Sequence, residues 1–291
     1  MITEVSSFAP HTTGCLYLVP TPIGNLDDLS VRAVKTLQQV ALIAAEDTRN
    51  TQKLLNHFQI PTKQISFHEH NTQQRLPQLV ALLQSGQDIA QVSDAGMPSI
   101  SDPGKELVQA CVAAKIPVIP LPGPNAALTA LIASGLSPQP FYFYGFLPRK
   151  KSDLQQTLNF LAQLTTTFIL YESPYRIQQT IAHLQTVLGS QRPIVLAREL
   201  TKIHEAFLRG SLAEVQAYFH DHAPRGEYVL LVAGKSGPAV VTWSASQVLA
   251  QVHTEIAAGT KPNTAIKQVA KQADWSRQAV YNLYHGLEAK E

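Results

Sequence analysis

The residues best suited to chemistry lie in one run, Asp88 to Gly104, reading DIAQVSDAGMPSISDPG. Ile89, Ala90 and Val92 make a short apolar stretch of strand type, and Asp94 stands where it gives way to polar residues. A carboxylate in that position accepts hydrogen bonds from a ribose or an amine. Gly96, Pro98, Pro103 and Gly104 hold the next segment in open loop, whose backbone N–H groups are free to face a ligand. The competing reading is an ordinary connection with Asp94 as a turn or cap residue. Loop length opposes it, because most strand-to-helix connections have only about 2–6 residues and longer ones are usually functional or disordered.

Other candidate groups are fewer. Glu46-Asp47-Thr48-Arg49 follows a second apolar run; it reads either as a substrate-binding rim or as a helix cap with an Arg–carboxylate pair. His68 and His70 flank Glu69, but no third ligand or closed cysteine set accompanies them, so a polar rim is expected there and no metal centre. Cys15 and Cys111, the only cysteines, sit in apolar patterns and read as reduced core residues.

These groups need strands to position them. Strand-like runs at 15–19, 41–45, 64–67, 89–92 and 117–121 alternate with helical segments, the first of them LDDLSVRAVKTLQQV and the last ending at Gly135. That alternation predicts a parallel sheet covered on both faces, with ligands at the carboxyl ends of the strands. After Pro140 the pattern changes. Strands are expected at 141–146, 167–171, 193–197, 204–208 and 228–233, with helices at 152–164, 173–188 and 211–221. A short turn-like segment joins the strands near 195 and 206, so this half is expected to be mixed. Lys235 to Val241 reads as a linker, followed by helices at 244–259 and 264–287 with a break near Asp274-Trp275. The domain plan is a flexible tail 1–14, an N-terminal α/β domain 15–122, a second α/β domain 123–237 and a C-terminal helical domain 238–291.

Composition narrows the class. The 291 residues are 45% hydrophobic and 15% charged, with a formal net charge of +2. The first 122 residues lean acidic and the rest basic, so a polyanion would meet the middle and end of the chain first. The first thirteen residues lack the apolar core of a signal peptide and no apolar run reaches spanning length, so a cytoplasmic protein without a membrane association is expected. The first strand runs into Pro20-Thr21-Pro22-Ile23-Gly24-Asn25. This is no G-x-G-x-x-G, and its prolines remove two donors that a pyrophosphate would use. NAD, FAD and ATP are therefore not expected. A donor-poor loop suits a ligand without phosphates, such as S-adenosylmethionine, although composition alone does not single that ligand out.

Two stretches have the chemistry of RNA contacts. Arg149-Lys150-Lys151 follows Phe141, Tyr142, Phe143, Tyr144 and Phe146; cations grip phosphates and aromatics stack on bases. The plainer reading is core aromatics and a solvated turn. TAIKQVAKQADWSRQAVYNLYHGL looks like a helix-turn-helix, with Ala265, Val269 and Ala270 on one apolar face and Val280, Leu283 and Tyr284 on the other. Ser276 would cap the second helix and leave Arg277, Gln278, Tyr281 and Asn282 exposed. A three-helix lid or an oligomer contact would show the same pattern.

Seven stretches in order, VPTPIGNLDDLS, AAEDTRNTQKLL, VSDAGMPSISDPG, PLPGPNAALTAL, FYGFLPRK, YESPYR and LARELTK, cover most of the chain between about residues 15 and 235. Together they resemble the small-subunit ribosomal RNA methyltransferases of the tetrapyrrole methylase superfamily, and the helical tail resembles their C-terminal helix-turn-helix. The resemblance implies two α/β domains with a cofactor cleft between them and a small C-terminal helical domain. It implies S-adenosylmethionine-dependent 2′-O-methylation of a cytidine ribose in 16S ribosomal RNA, within the small ribosomal subunit, by a homodimer. It places Ser93, Asp94, Ala95, Gly96, Met97 and Ile100 along the methionine and ribose of the cofactor. Pro20, Thr21 and Pro22 close over it, Gly123, Asn125 and Ala126 form another wall, and Tyr171, Glu172 and Ala197 come in from the second domain. Met97, Asn125 and Tyr175 stand where threonine, serine or cysteine, and histidine are common, which puts a histidine base at 175 in doubt.

A hydroxyl acceptor must lose its proton; the candidate bases are Asp47, Glu172 and Glu199, with Lys202 or Arg49 stabilising charge. Arg49, Arg149, Lys150, Lys151 and Arg277 are the candidate RNA contacts. A methyltransferase acting on a tetrapyrrole or another small molecule, and a non-catalytic ribosome-associated RNA-binding protein, are the alternatives.

Overall fold

A computed structural model describes residues 4–235 and 243–287. The chain divides into two compact units, one up to Lys235 and one from Ser236. The expected linker falls almost wholly outside the described residues, as does the expected boundary at 237/238.

The first sheet holds β1 (Leu16–Leu18), β2 (Leu42–Ala45), β3 (Gln64–Ser66), β4 (Ile89–Val92) and β5 (Val118–Pro120). All are parallel, in the order β3-β2-β4-β1-β5. β4 is central and buried along its whole length, which is why its sequence shows no alternation of apolar with exposed polar residues; its one polar side chain, Gln91, is buried with the rest. α1 (Val31–Gln39), α2 (Thr48–His57), α3 (Thr72–Gln84) and α4 (Lys105–Ala113) cover the sheet. One core face gathers Leu37, Ile43, Leu55 and Ala90, the other Leu16, Ala44, Phe67, Leu83 and Leu107. The expected helix over LDDLSVRAVKTLQQV is split. Leu26–Asp28 is a 3-10 turn, and α1 begins only after Ser30, whose Oγ accepts from the Ala33 N–H at 3.1 Å.

The second sheet holds β6 (Phe141–Phe146), β7 (Thr167–Glu172), β8 (Pro193–Arg198), β9 (Ala206–Ser211) and β10 (Tyr228–Val232), in the order β6-β7-β10-β8-β9. β6 and β7 are parallel and the other pairs antiparallel, so the sheet is mixed, as the turn near 200 predicts. α6 (Lys151–Gln163), α7 (Ile177–Leu188) and α8 (Leu212–Asp221) lie over one face. α5 (Ala126–Ser134) lies over the other, where Ala127, Ala130 and Leu131 meet Ile169, Val195, Ala197 and Val229. Its small residues allow a close approach. Arg209 fixes its end by donating to the Ser134 and Ala133 carbonyls at 3.2 and 2.7 Å. The chain therefore crosses from one sheet to the other between β5 and α5, through Leu121 to Asn125. In β6 the aromatic alternation fails at a register shift between Phe143 and Gly145, where Gly145 takes φ +83°.

The unit from Ser236 contains α9 (Ala245–Ala257), α10 (Pro262–Ala273) and α11 (Arg277–His285). They close around Val248, Val252, Ile266, Val269 and Val280. Asp274 ends α10 in the left-handed conformation at φ 55°, and Ser276 Oγ caps α11 through the Ala279 N–H. Arg277, Gln278 and Tyr281 are exposed and Asn282 is half-buried. Among the described residues no helix is long and apolar enough to cross a membrane.

Candidate functional site

Two loops at the carboxyl edge of the first sheet are locked together. The N–H of Thr21, after β1, donates to the Gly96 carbonyl at 2.9 Å, and the Gly96 N–H donates back to the Thr21 carbonyl at 3.0 Å. Thr21 Oγ1 adds a bond to the Ser93 carbonyl at 3.0 Å. Gly96 itself takes φ +77°, a conformation that glycine alone adopts at little cost. Farther along the same loop Ser99 and Ser101 also have positive φ, at 70° and 64°. Its far end is strapped to the sheet, where Gln91 of β4 donates from Nε2 to the Pro103 carbonyl at 2.9 Å.

This loop forms one wall of a cavity of about 430 Å³, well within the size range of small-ligand sites. Asp94, Ala95, Gly96, Met97 and Ile100 line it from the loop, together with Glu46 from the end of β2 and Asp102. Asn125 and Ala126 enter where the chain crosses between sheets, and Tyr171, Glu172, Ala197, Leu200 and Tyr228 come from the second sheet. The Tyr171 hydroxyl accepts from the Ala127 N–H at 3.2 Å, joining β7 to α5. Asn125 spends its side-chain oxygen on capping α5, accepting from the Leu128 N–H at 2.9 Å.

The other expected cofactor residues stand behind this wall. Thr21, Pro22 and Ser93 line a neighbouring hollow of about 180 Å³ together with Asn50, Lys53 and Asp94. Pro20 packs against Gly123, where an added Cβ would come within 2.7 Å of the proline ring. Asp94 alone faces both hollows.

The three candidate bases have separate surroundings. Asp47 caps α2 and forms a two-pronged pair with Arg49, at 3.0 and 2.7 Å, which holds its carboxyl down at about 2. Glu199 accepts from Lys202 Nζ and from the Glu227 N–H, both at 2.9 Å, and those bonds hold it below the ordinary range despite its partial burial. Neither lines the cavity. Glu172 does, but it is buried and both its oxygens are taken, by the Ser173 N–H at 2.9 Å and Thr180 Oγ1 at 2.7 Å, with Arg176 at 3.8 Å. Tyr175 is 96% exposed and lies outside the lining.

Sequence reasoning missed Asp102 and gave Glu46 only a place in a polar rim. Burial raises Asp102 to about 7; repulsion from Glu46 and Asp94 adds to this and the Ser93 hydroxyl offsets part of it. Burial also raises Glu46, opposed by the Asp94 N–H that it accepts at 3.2 Å. The available signal was the repeated Ser-Asp pair, Ser93-Asp94 and Ser101-Asp102, within one glycine- and proline-rich run.

The candidate RNA contacts are spread out. Arg49 is exposed on the first turn of α2, while Arg149, Lys150 and Lys151 are exposed at the start of α6, with Lys150 3.6 Å from Asp153. Arg277 begins α11 in the other unit. His68 pairs with Asn71 and His70 with Glu69, both at 3.2 Å.

The cavity's charge narrows its ligand. Among the described residues lining it there is no lysine or arginine, while Glu46, Asp94 and Asp102 all face it. A phosphate would be repelled there, whereas a cation with an apolar body is matched by the carboxylates and by Met97, Ile100, Ala126, Ala197 and Leu200.

Residues 15–216 match the model of the Tetrapyrrole (Corrin/Porphyrin) Methylases. The chain belongs to this methylase family. The methylase is 51% identical to "Ribosomal RNA small subunit methyltransferase I" of Streptococcus pyogenes serotype M1, over 95% of this chain and 96% of that protein. It is equally identical to the protein of that name from Synechocystis sp., over 95% and 99%. Among solved structures, uroporphyrin-III C-methyltransferase from Thermus thermophilus, complexed with S-adenosylhomocysteine, shares the fold with a TM-score of 0.53 at 18% identity, over 75% of this chain and 97% of that one. The family read from the seven sequence stretches is thus the family found.

Proposed function

We propose that this methylase transfers a methyl group from S-adenosylmethionine to ribosomal RNA of the small subunit, at the 2′-hydroxyl of a cytidine ribose. The observation that carries the reading is a cleft faced by carboxylates and free of lysine and arginine, in a chain half identical to relatives named for methylating that RNA. S-adenosylmethionine fits such a cleft, being a cation without phosphates, and it supplies an electrophilic methyl group when bound. The protein's own contribution is to bind and orient. The locked loop at Thr21 and Gly96 presents backbone to the ligand, Met97, Ile100, Ala197 and Leu200 exclude water, and Glu46, Asp94 and Asp102 favour positive charge. Alignment of donor and acceptor can by itself supply about 7–11 kcal/mol. The protein acts in the cytoplasm as a homodimer.

Mass-spectrometric mapping of 16S ribosomal RNA from cells lacking the protein tests the reading. One 2′-O-methylcytidine should be lost and should return when the protein is supplied. An unchanged map would overturn it.

Arg49, Arg149, Lys150 and Lys151 serve as phosphate contacts around the cleft, and α9 to α11 act as an RNA-holding module through Arg277, Lys267 and Lys271. Removing residues 244–287 should weaken RNA binding and flatten its dependence on salt, since each lost phosphate contact lowers the slope by about one. Affinity for S-adenosylmethionine, measured by calorimetry on the same protein, should hardly change. A truncated dimer that methylates subunits at the full rate would remove the module from the RNA-binding surface.

A further inference from the structure

Resting on the reading of a hydroxyl acceptor, we infer that Asp102 is the group that takes the acceptor's proton. The geometry selects it by what surrounds each acid. Both oxygens of Asp94 are occupied, by the Asp47 N–H at 3.1 Å and Asn50 Nδ2 at 3.0 Å. Those of Glu172 are held by Ser173 and Thr180. Glu46 accepts the Asp94 N–H and so serves to place that loop. Asp47 and Glu199 lie outside the lining, each paired with a cation, and Glu227 lines the cleft but is paired with Lys202 Nζ at 2.8 Å. Asp102 lines the cleft near the Ser93 hydroxyl, and among the described residues it forms no ion pair.

The groups facing Asp102 tune it consistently. Glu46 and Asp94, from the ends of β2 and β4, disfavour its charge, and Asp102 in turn raises the Tyr171 hydroxyl on β7. Burial, with two nearby carboxylates adding to it, holds it at about 7, close to the operating pH at which a general base is most effective. The step balances. The acceptor oxygen bonds to the methyl carbon, the carbon–sulfur pair stays on sulfur, and the hydroxyl proton moves to the Asp102 carboxylate. A sulfonium and a carboxylate become a thioether and a carboxylic acid.

The test uses the full chain and small subunits from cells lacking it. Asp102→Asn should slow single-turnover methylation about a hundredfold or more, while calorimetric affinity for S-adenosylmethionine falls by much less. The logarithm of the unmodified protein's rate should rise with pH and level off near 7; Asp102→Asn should lose that rise, and Asp102→Glu should regain part of the rate. Carbon-13 NMR of the aspartate carboxyls in the unmodified protein, without RNA, should show one titrating near 7 that is missing from a folded Asp102→Glu variant. Asp102→Asn acting at the normal rate would overturn the assignment and leave the function intact. So would an aspartate spectrum with every carboxyl in the ordinary range. If the unmodified protein places its label elsewhere than on a ribose hydroxyl, the function falls first and the assignment with it.

Discussion

Gly96→Val should bind S-adenosylmethionine roughly a hundredfold more weakly, a loss of about 2.7 kcal/mol, in a chain that still folds. Crowding is not the main cause. A Cβ at this position would meet Ile23 Cγ2 at 3.5 Å and the Pro124 carbonyl at 3.8 Å, which are ordinary contacts. The backbone is what fails. Gly96 sits at φ +77°, and a β-branched residue held there costs roughly 1–3 kcal/mol. The loop can relieve that strain only by leaving the paired geometry with Thr21, which carries hydrogen bonds in both directions. It then no longer presents Ala95 and Met97 to the cleft. Isothermal calorimetry reads the loss, and near-ultraviolet circular dichroism confirms the fold. A folded variant with unchanged affinity would move the cofactor away from this loop.

Gly104→Ala should do more damage, because here conformation and space fail together. Gly104 takes φ +134°, outside the regions open to other residues. Its added Cβ would also overlap the Gln91 amide, whose Nε2 lies 1.6 Å from the ideal Cβ position. Gln91 is 1% exposed on the central strand and cannot swing into solvent. Displacing it breaks the bond to the Pro103 carbonyl and leaves a buried amide without a partner, at about 1–3 kcal/mol; backbone strain adds a similar amount. For a unit of this size, each kcal/mol lowers Tm by about 2–4 °C, so calorimetric melting should fall by roughly 10 °C. Gly104→Ala combined with Gln91→Ala should recover part of the loss, since the overlap with the amide disappears while the close approach to Ser99 Oγ and the strained φ remain. A single variant melting like the parent would show that the strap is not holding the loop.

The alternation of strand and helix was legible because each strand of the first sheet is a short apolar run closed by polar or glycine-rich residues. Which strand lies in the middle was not legible. β4 sits between β2 and β1 through pairings such as Leu42 and Leu16 with Ile89, and nothing local to Ile89 specifies those partners. The start of α1 was misplaced because Ser30 looks like any other polar residue until its Oγ is seen to cap Ala33. Asp94 was readable from its place at the end of a strand. Asp102 was not, since its character depends on burial in the folded cleft and on Glu46, which arrives from an element far away in sequence. The pairing of Asp47 and Glu199 is legible in sequence: each has a cation two or three residues later, Arg49 and Lys202, and a short tether of that kind favours a local ion pair over a free carboxylate.

The crossing from β5 to α5 runs through Pro122, Gly123 and Pro124, with Gly123 pressed against Pro20. Two of its torsions are fixed by proline rings, and the third residue is held from the side. A joint built this way loses its conformational entropy when the chain folds, so little is left to lose when a ligand arrives. Binding to a cleft whose walls are already spaced should follow a single kinetic phase, without a slow closing step behind it.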